Sequence, residues 1–462
     1  MSTEPTGSAG AGRRFTRGLL GVCGVLAIVS AALIAVNLTQ GMRLQATVPD
    51  AERLVSAAHE QLVVTSNQQL EPVDAAQVSI TPDTPVTVSS TANRITVSFD
   101  TALSYSTNYS ITISGVTGSF DSTPRSLNYR VETPAPLTVG LRHSDDGDSI
   151  VRSDPRTDEE PPEVLFDAEQ IDDFAVYAGT VAVSTRSASG TSELFLIDID
   201  TRNQREITLP GDGVISQLDA AARYNRVGFR YSGPMGGSGT VVDNVLFTFT
   251  GNTTPRPVQG IDGNDLRVES WEFVPGKPAL IAQDSDTNVY LVVQREDQSI
   301  VPLGQYLGIG TVGNDGASVV VSTELDMALL DLTTGLSASI AIGPLDGVTT
   351  YPSDAYRLLD GSGVVTMFSV PDALTQSLTQ RVVLRTAAGD RVLFDSVASS
   401  TVVVGVTSSP NDEYLAVQLI EYGAAEAGNP DGATFGTVIV ETATGDPVAR
   451  LDGEQLQWEA RG

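Results

Sequence analysis

From about Pro136 onward, four short apolar stretches recur as a unit every ~40–55 residues, and this recurrence constrains the fold more than any single motif. The clearest copy occupies 171–176, 181–184, 193–200 and 205–209. Comparable sets follow at 227–258, 271–301, 319–340, 364–394 and 402–449. One four-stranded sheet cannot bury both faces, so such units stack around an axis and cover one another. Acidic turns such as Asp200-Thr-Arg-Asn203 and Asp331-Leu-Thr-Thr-Gly335 suit a tight link from the third strand to the outermost. Three further strands are expected at 137–141, 149–152 and 163–166, and one at Gln455-Leu-Gln-Trp458. Joining these four closes a ring and removes an exposed sheet edge. The expectation is an all-β chain with a β-propeller over 136–462, seven blades being favoured over six or eight.

Two stretches carry family likenesses. Ser408-Ser-Pro-Asn-Asp-Glu-Tyr-Leu-Ala-Val417 is similar to the Ser-Pro-Asp-Gly turn and following strand of WD40-like and TolB-like propellers, with Glu413 standing where glycine is expected. Residues 193–200 are similar to the third strand of those blades. The resemblance implies binding of a protein, peptide or glycan at the propeller rim or central opening. Upstream, 71–135 alternates apolar and polar residues with period two, as in Ile95-Thr-Val-Ser-Phe99 and Tyr109-Ser-Ile-Thr-Ile113, which predicts the short strands of a sandwich. With Leu103, Gly115, Val116 and Val131-Glu-Thr133, this stretch resembles the Ig-like domains of the S-layer (SbsA) type, which implies a spacer or adhesive module.

The N-terminus predicts a location. Residues 18–38 carry no charged side chain, and Arg13, Arg14 and Arg17 precede them. A run of ~20 apolar residues reaches across a ~30 Å hydrocarbon layer, with basic residues inside. This predicts a cytoplasmic tail (1–17), a transmembrane helix (18–38) that anchors the chain as its membrane contact, and a stalk (39–70). Within the stalk, a helix after Pro49-Asp50 would carry Leu54, Val55, Ala58 and Leu62 on one face. A cleaved signal peptide is the alternative. Cys23 reads as an inert thiol buried in the run. The expected topology is single-pass and type II-like, with the bulk of the chain extracytoplasmic at the cell envelope.

Composition excludes several chemistries. The net charge of −30 repels phosphate backbones, so nucleic-acid binding is not expected. A single cysteine leaves no disulfide or thiolate metal site, and His59 and His143 stand far apart in sequence. No Gly-x-Ser-x-Gly, P-loop or His-Glu-x-x-His motif occurs. No catalytic, cofactor or metal residues are therefore assigned. The acidic stretch Ser144-Asp-Asp-Gly-Asp148 with Asp154, Asp158 and Glu159 offers hard oxygens for Ca²⁺ but reads first as a solvated loop. Trp271 and Trp458 are expected in the core, and Tyr231 with 233–239 in a long inter-strand loop. The expected function is non-enzymatic binding or scaffolding. The alternative is a propeller hydrolase or lyase acting on envelope glycan or peptide.

Overall fold

Period-two alternation becomes two small sheets ahead of the ring. The computed structural model describes residues 19, 21–26, 28–30, 41–119, 123–157, 161–237, 239–251, 253–295, 298–324, 326–340, 344–345, 350–371, 378–396, 401–422 and 433–459. The chain divides into two compact units. The first comprises Met1–Val48, Gln61–Ser98 and Ser110–Arg130. In it β1 (Leu44–Thr47), β2 (Gln61–Ser66), β4 (Val86–Thr91) and β5 (Arg94–Phe99) form a sheet ordered β1-β2-β5-β4. Strands β3 (Val78–Thr81), β6 (Asn108–Val116) and β7 (Arg125–Glu132) form a second, ordered β3-β6-β7. Leu62, Val64, Ile95 and Val97 are fully buried on one sheet and Ile111 and Ile113 on the other, so each sheet buries one face.

Three expectations near the N-terminus are corrected. Among the described residues no helix is long and apolar enough to cross a membrane. Among the described residues of 1–40, the helical ones are 19, 21–26 and 28–30. A charge-free run permits a spanning helix but does not set its length. Arg13, Arg14 and Arg17, like 31–40, lie outside the described residues. Cys23, expected to be buried, is exposed. The expected helical stripe is also shorter. Helix α1 (Ala51–Ser56) starts where the Asp50 side chain accepts the Glu52 N–H (3.3 Å) and ends at an extended Ala57. His59 then turns left-handed (φ 63°), and Leu62 faces the β2 pairing with Val97.

The second unit comprises Pro49–Glu60, Phe99–Tyr109 and Val131–Gly462, and it is a propeller. Among the described residues, seven four-stranded antiparallel sheets follow one another. We number them I to VII. Blade I joins β8 (Thr138–Ser144), β9 (Gly147–Ser153) and β10 (Glu163–Ala168) to the C-terminal strand Glu454–Trp458. Gln457 pairs with Val139 and Trp458 with Thr138, which is the expected closure of the ring. Blades II to VII begin with the strands Ile171–Tyr177, Val214–Ala221, Ser270–Phe273, Gly308–Val312, Tyr351–Arg357 and Thr401–Ser408. The first strands of blades II to VI each approach the next, and the closing strand Glu454–Trp458 approaches that of blade II, which places them on the inner side of the ring.

Apolar side chains between neighbouring blades hold the ring. Phe229, Phe247 and Tyr231 of blade III pack with Tyr177 and Leu194 of blade II in one buried cluster. Trp271 of blade IV is 2 % exposed and meets Phe273 edge-on with centroids 5.2 Å apart. It fits because residue 228 is glycine: a Cβ there would lie 2.5 Å from the Trp271 ring. Gly228→Ala is accordingly expected to destabilise by ~1–3 kcal/mol through overpacking. A lowered midpoint in urea unfolding, with Trp271 fluorescence as the readout, checks this.

Candidate binding sites of the propeller

The first strands do more than line the axis. A β-bulge interrupts their pairing in blades I, II, III, V, VI and VII. Bulges re-aim side chains, and here carboxylates and amides near them reach the next blade. Asp173 Oδ2 accepts the Leu218 N–H at 2.7 Å, and its Oδ1 accepts the Phe174 N–H at 2.9 Å. Asp219 repeats the pattern with Phe273 (2.8 Å) and Ala220 (2.7 Å). Glu272 Oε2 accepts from Val312 at 3.0 Å. Across the closure, Gln457 accepts from Val176 N–H (2.9 Å) and donates to Phe174 O (2.8 Å). Asp148 of the acidic stretch serves likewise, accepting the Ile171 N–H at 2.8 Å. Asp412 accepts from Leu359 N–H, which ties blade VII to blade VI. Acidic and amide residues thus stitch adjacent blades through backbone donors.

Burial governs the charge of these groups. Desolvation pushes Asp173, Asp219 and Asp412 up to about 6, while the backbone hydrogen bonds oppose it. Glu272 is raised well above its ordinary value, by desolvation first and then by the charges of Asp219 and Asp354. None of this was assigned from sequence. The available signal was an acidic residue inside each of several strands that otherwise read as apolar, such as Asp173 between Ile171 and Phe174.

One end of the axis is covered by the unit's own chain. A cavity of 250 Å³ lies between α1 residues Arg53 and Ser56 and the blade residues Asp219, Glu272, Asn314 and Pro410. Arg53 is held by Glu60 at 2.6 Å. Segment 99–109 docks beside it on the turn of blade VII. The Tyr105 N–H donates to Glu413 Oε2 (2.8 Å), and Asn411 Nδ2 donates to Leu103 O (2.9 Å). This explains the departure at Glu413. Asp412 (φ 58°) takes the left-handed place of the glycine, which Asp tolerates, and Glu413 is free to receive the docked backbone.

The residues singled out from sequence are dispersed. Asp145 and Asp146 form the tight β8–β9 turn and are exposed. Asp148 Oδ1 instead meets His143 Nδ1 at 2.6 Å, and Glu454 meets Nε2 at 2.8 Å. Asp154 pairs with Arg156, and Asp158 and Glu159 lie outside the described residues. Among the described residues no group of three His, Cys, Asp or Glu side chains is placed to hold a metal ion. Trp458 is 7 % exposed and Tyr231 fully buried, its hydroxyl donating to Pro234 O at 2.8 Å.

Two of the concavities have polar walls at the ring's periphery. The first, 470 Å³, is lined by Arg142, Arg152 and Arg450 with Asp154, Glu163 and Asp452. Its central arginine is committed, since the Arg152 fork holds the buried Glu459 at 2.7 and 3.1 Å. The second, 660 Å³, runs between blades III and IV and is lined by Val241, Ile261, Asp262, Asp265, Asp284 and Tyr290 among others.

No family model matches the chain. No curated protein matches it either. Several solved structures align with it. TolB from Acinetobacter baumannii is 11% identical over 83% of each chain, with a TM-score of 0.37. A protein from Lactobacillus plantarum is 12% identical over 70% of this chain and 99% of its own, with a TM-score of 0.42. The β-propeller domain of Cps50 (Swd1) from Myceliophteria thermophila is 12% identical over 62% of this chain and 86% of its own, with a TM-score of 0.39.

Proposed function

We propose that the propeller is a binding or scaffolding module, not a catalyst, and that it engages a protein or peptide at its periphery. One observation carries this reading: the buried carboxylates nearest the axis, the obvious acid–base candidates, are engaged by backbone donors of neighbouring blades. A general acid or base must reach the reacting proton of a substrate. Asp173 and Asp219 instead have both oxygens bonded to main-chain N–H groups. Cover of the axial cavity by Arg53 and Ser56 supports the same reading. We read the two-sheet unit as a spacer of the Ig-like, S-layer kind, on the strength of its alternating strands with one buried face.

The test is a substrate panel of lactones, chromogenic glycosides and peptide amides, offered to the full chain and to Glu272→Gln. Turnover at the level of buffer in both proteins is the expected result. Turnover by the full chain that Glu272→Gln abolishes would overturn the reading.

A further inference from the structure

The groove between blades III and IV has the features of a strand-accepting site. It is lined on one side by the start of the blade III strand Val241–Thr250. That strand pairs along its inner side as far as Val241, opposite Pro234. On its outer side, the short strand Arg256–Pro257 pairs with Phe247 and Thr248, Arg267 bridges Val245, and the Val268 N–H donates to Asn244 O at 2.9 Å, so the pairing there ends at Asn244. Among the described residues no strand lies against the outer side of 241–243. An open strand end beside a groove is a template for another extended chain.

The walls specify what that chain carries. Val241 is 71% exposed and Ile261 65% exposed, though both line the groove. Large apolar side chains left this open beside a concavity gain by being covered. Around them stand Asp262, Asp265 and Asp284 against Arg267 alone. Asp284 also accepts the Tyr290 hydroxyl at 3.0 Å, and Asp265 accepts Gln259 Nε2 at 2.8 Å, so the carboxylates are held in place. The Tyr290 hydroxyl is raised by desolvation, by its bond to Asp284 and by the further charges of Asp286 and Asp262, as expected where several carboxylates converge.

We infer that this groove binds an extended peptide segment of a partner protein in which basic side chains alternate with apolar ones, added as a strand beside 241–243. The apolar side chains cover Val241 and Ile261, and the basic ones meet the three aspartates. This rests on the binding reading above and names the partner chemistry for it.

A fluorescein-labelled peptide alternating valine with arginine tests the inference by anisotropy with the full chain. Three results are expected: saturable binding, at least ~10-fold weaker binding of a peptide with a central proline, and no binding of the glutamate counterpart. Val241→Ser with Ile261→Ser, and separately Asp265→Asn, should each weaken the arginine peptide. Leu336→Ser, at a residue 72% exposed in blade V, should leave it unchanged. These side chains are exposed, so the variants keep the fold, and matching thermal midpoints verify that. Absence of binding, equal affinity for the proline peptide, or affinity unchanged in the groove variants would each overturn the groove. The substrate panel judges the non-catalytic reading separately.

Discussion

Replacing Trp458 by alanine is expected to cost ~3–5 kcal/mol and to loosen the strand that closes the ring. Trp458 and Leu456 belong to a buried cluster with Val55, Tyr105, Tyr414 and Ile439. Tyr414 stacks with both Tyr105 and Trp458, each at 6.2 Å between centroids. The closing strand is therefore held both by pairing with β8 and by side chains from segments that precede the ring. The Trp458 indole N–H has no hydrogen-bond partner, so Trp458→Phe removes an unsatisfied donor along with some volume. It should cost far less than alanine. Tyr105→Ala should destabilise as well, and the double variant with Trp458→Ala should fall short of additivity by ~0.5–1.5 kcal/mol through the shared Tyr414 stack. Urea midpoints give the energies, and amide exchange at 454–458 reports whether the closing strand opens first. An unchanged midpoint in Trp458→Ala would show that closure contributes nothing to stability.

The closure was legible because its signals are local and apolar. Val139, Leu141, Ile150 and Leu165 alternate or cluster as strand residues do, and the lone Gln455-Leu-Gln-Trp458 needed a partner. Blade number followed from counting strands. The N-terminal segment was misread where two periods compete. Leu54, Val55, Ala58 and Leu62 satisfy a helical stripe, yet Leu62 and Val64 equally satisfy a strand, and the left-handed His59 decides between them. Nothing in residue type announces that turn. The inter-blade carboxylates were invisible for a different reason. An aspartate in a strand reads as solvated unless the bulge that turns it toward the next blade is known, and bulges leave no reliable trace in one sequence. The groove between blades III and IV escaped because its walls, Val241 and Ile261, lie 20 residues apart in stretches that read as ordinary strand end and loop.

Lowering the pH from about 7.5 to about 5 is expected to raise the melting temperature. Asp173, Asp219 and Asp412 ionise in the folded protein only at about 6, because burial disfavours the carboxylate, whereas an unfolded Asp ionises near ~3.9. Between those values the folded state binds more protons than the unfolded chain, so stability falls as pH rises through the window. At neutral pH each ionised site costs on the order of 3 kcal/mol relative to its protonated form. His143 acts in the same direction. Burial pulls it down, but its bonds to Glu454 and Asp148 prevail and hold it above its ordinary value. Its contribution is complete below ~6.5 and is lost as pH rises through the folded value. Relief of repulsion among the charges behind a net −30 adds to the trend. Asp331 sets the opposite limit: the Thr334 and Thr333 N–H groups hold it below the usual carboxylate range, so its stabilisation is lost on deeper acidification. The maximum therefore falls near the unfolded Asp value of ~3.9, measurable by calorimetry at fixed ionic strength. Asp219→Asn removes one titrating site and should flatten the slope between pH 5 and 7. A melting temperature that instead drops steadily from pH 7.5 to 5 would mean that the inter-blade carboxylates are already ionised at little cost.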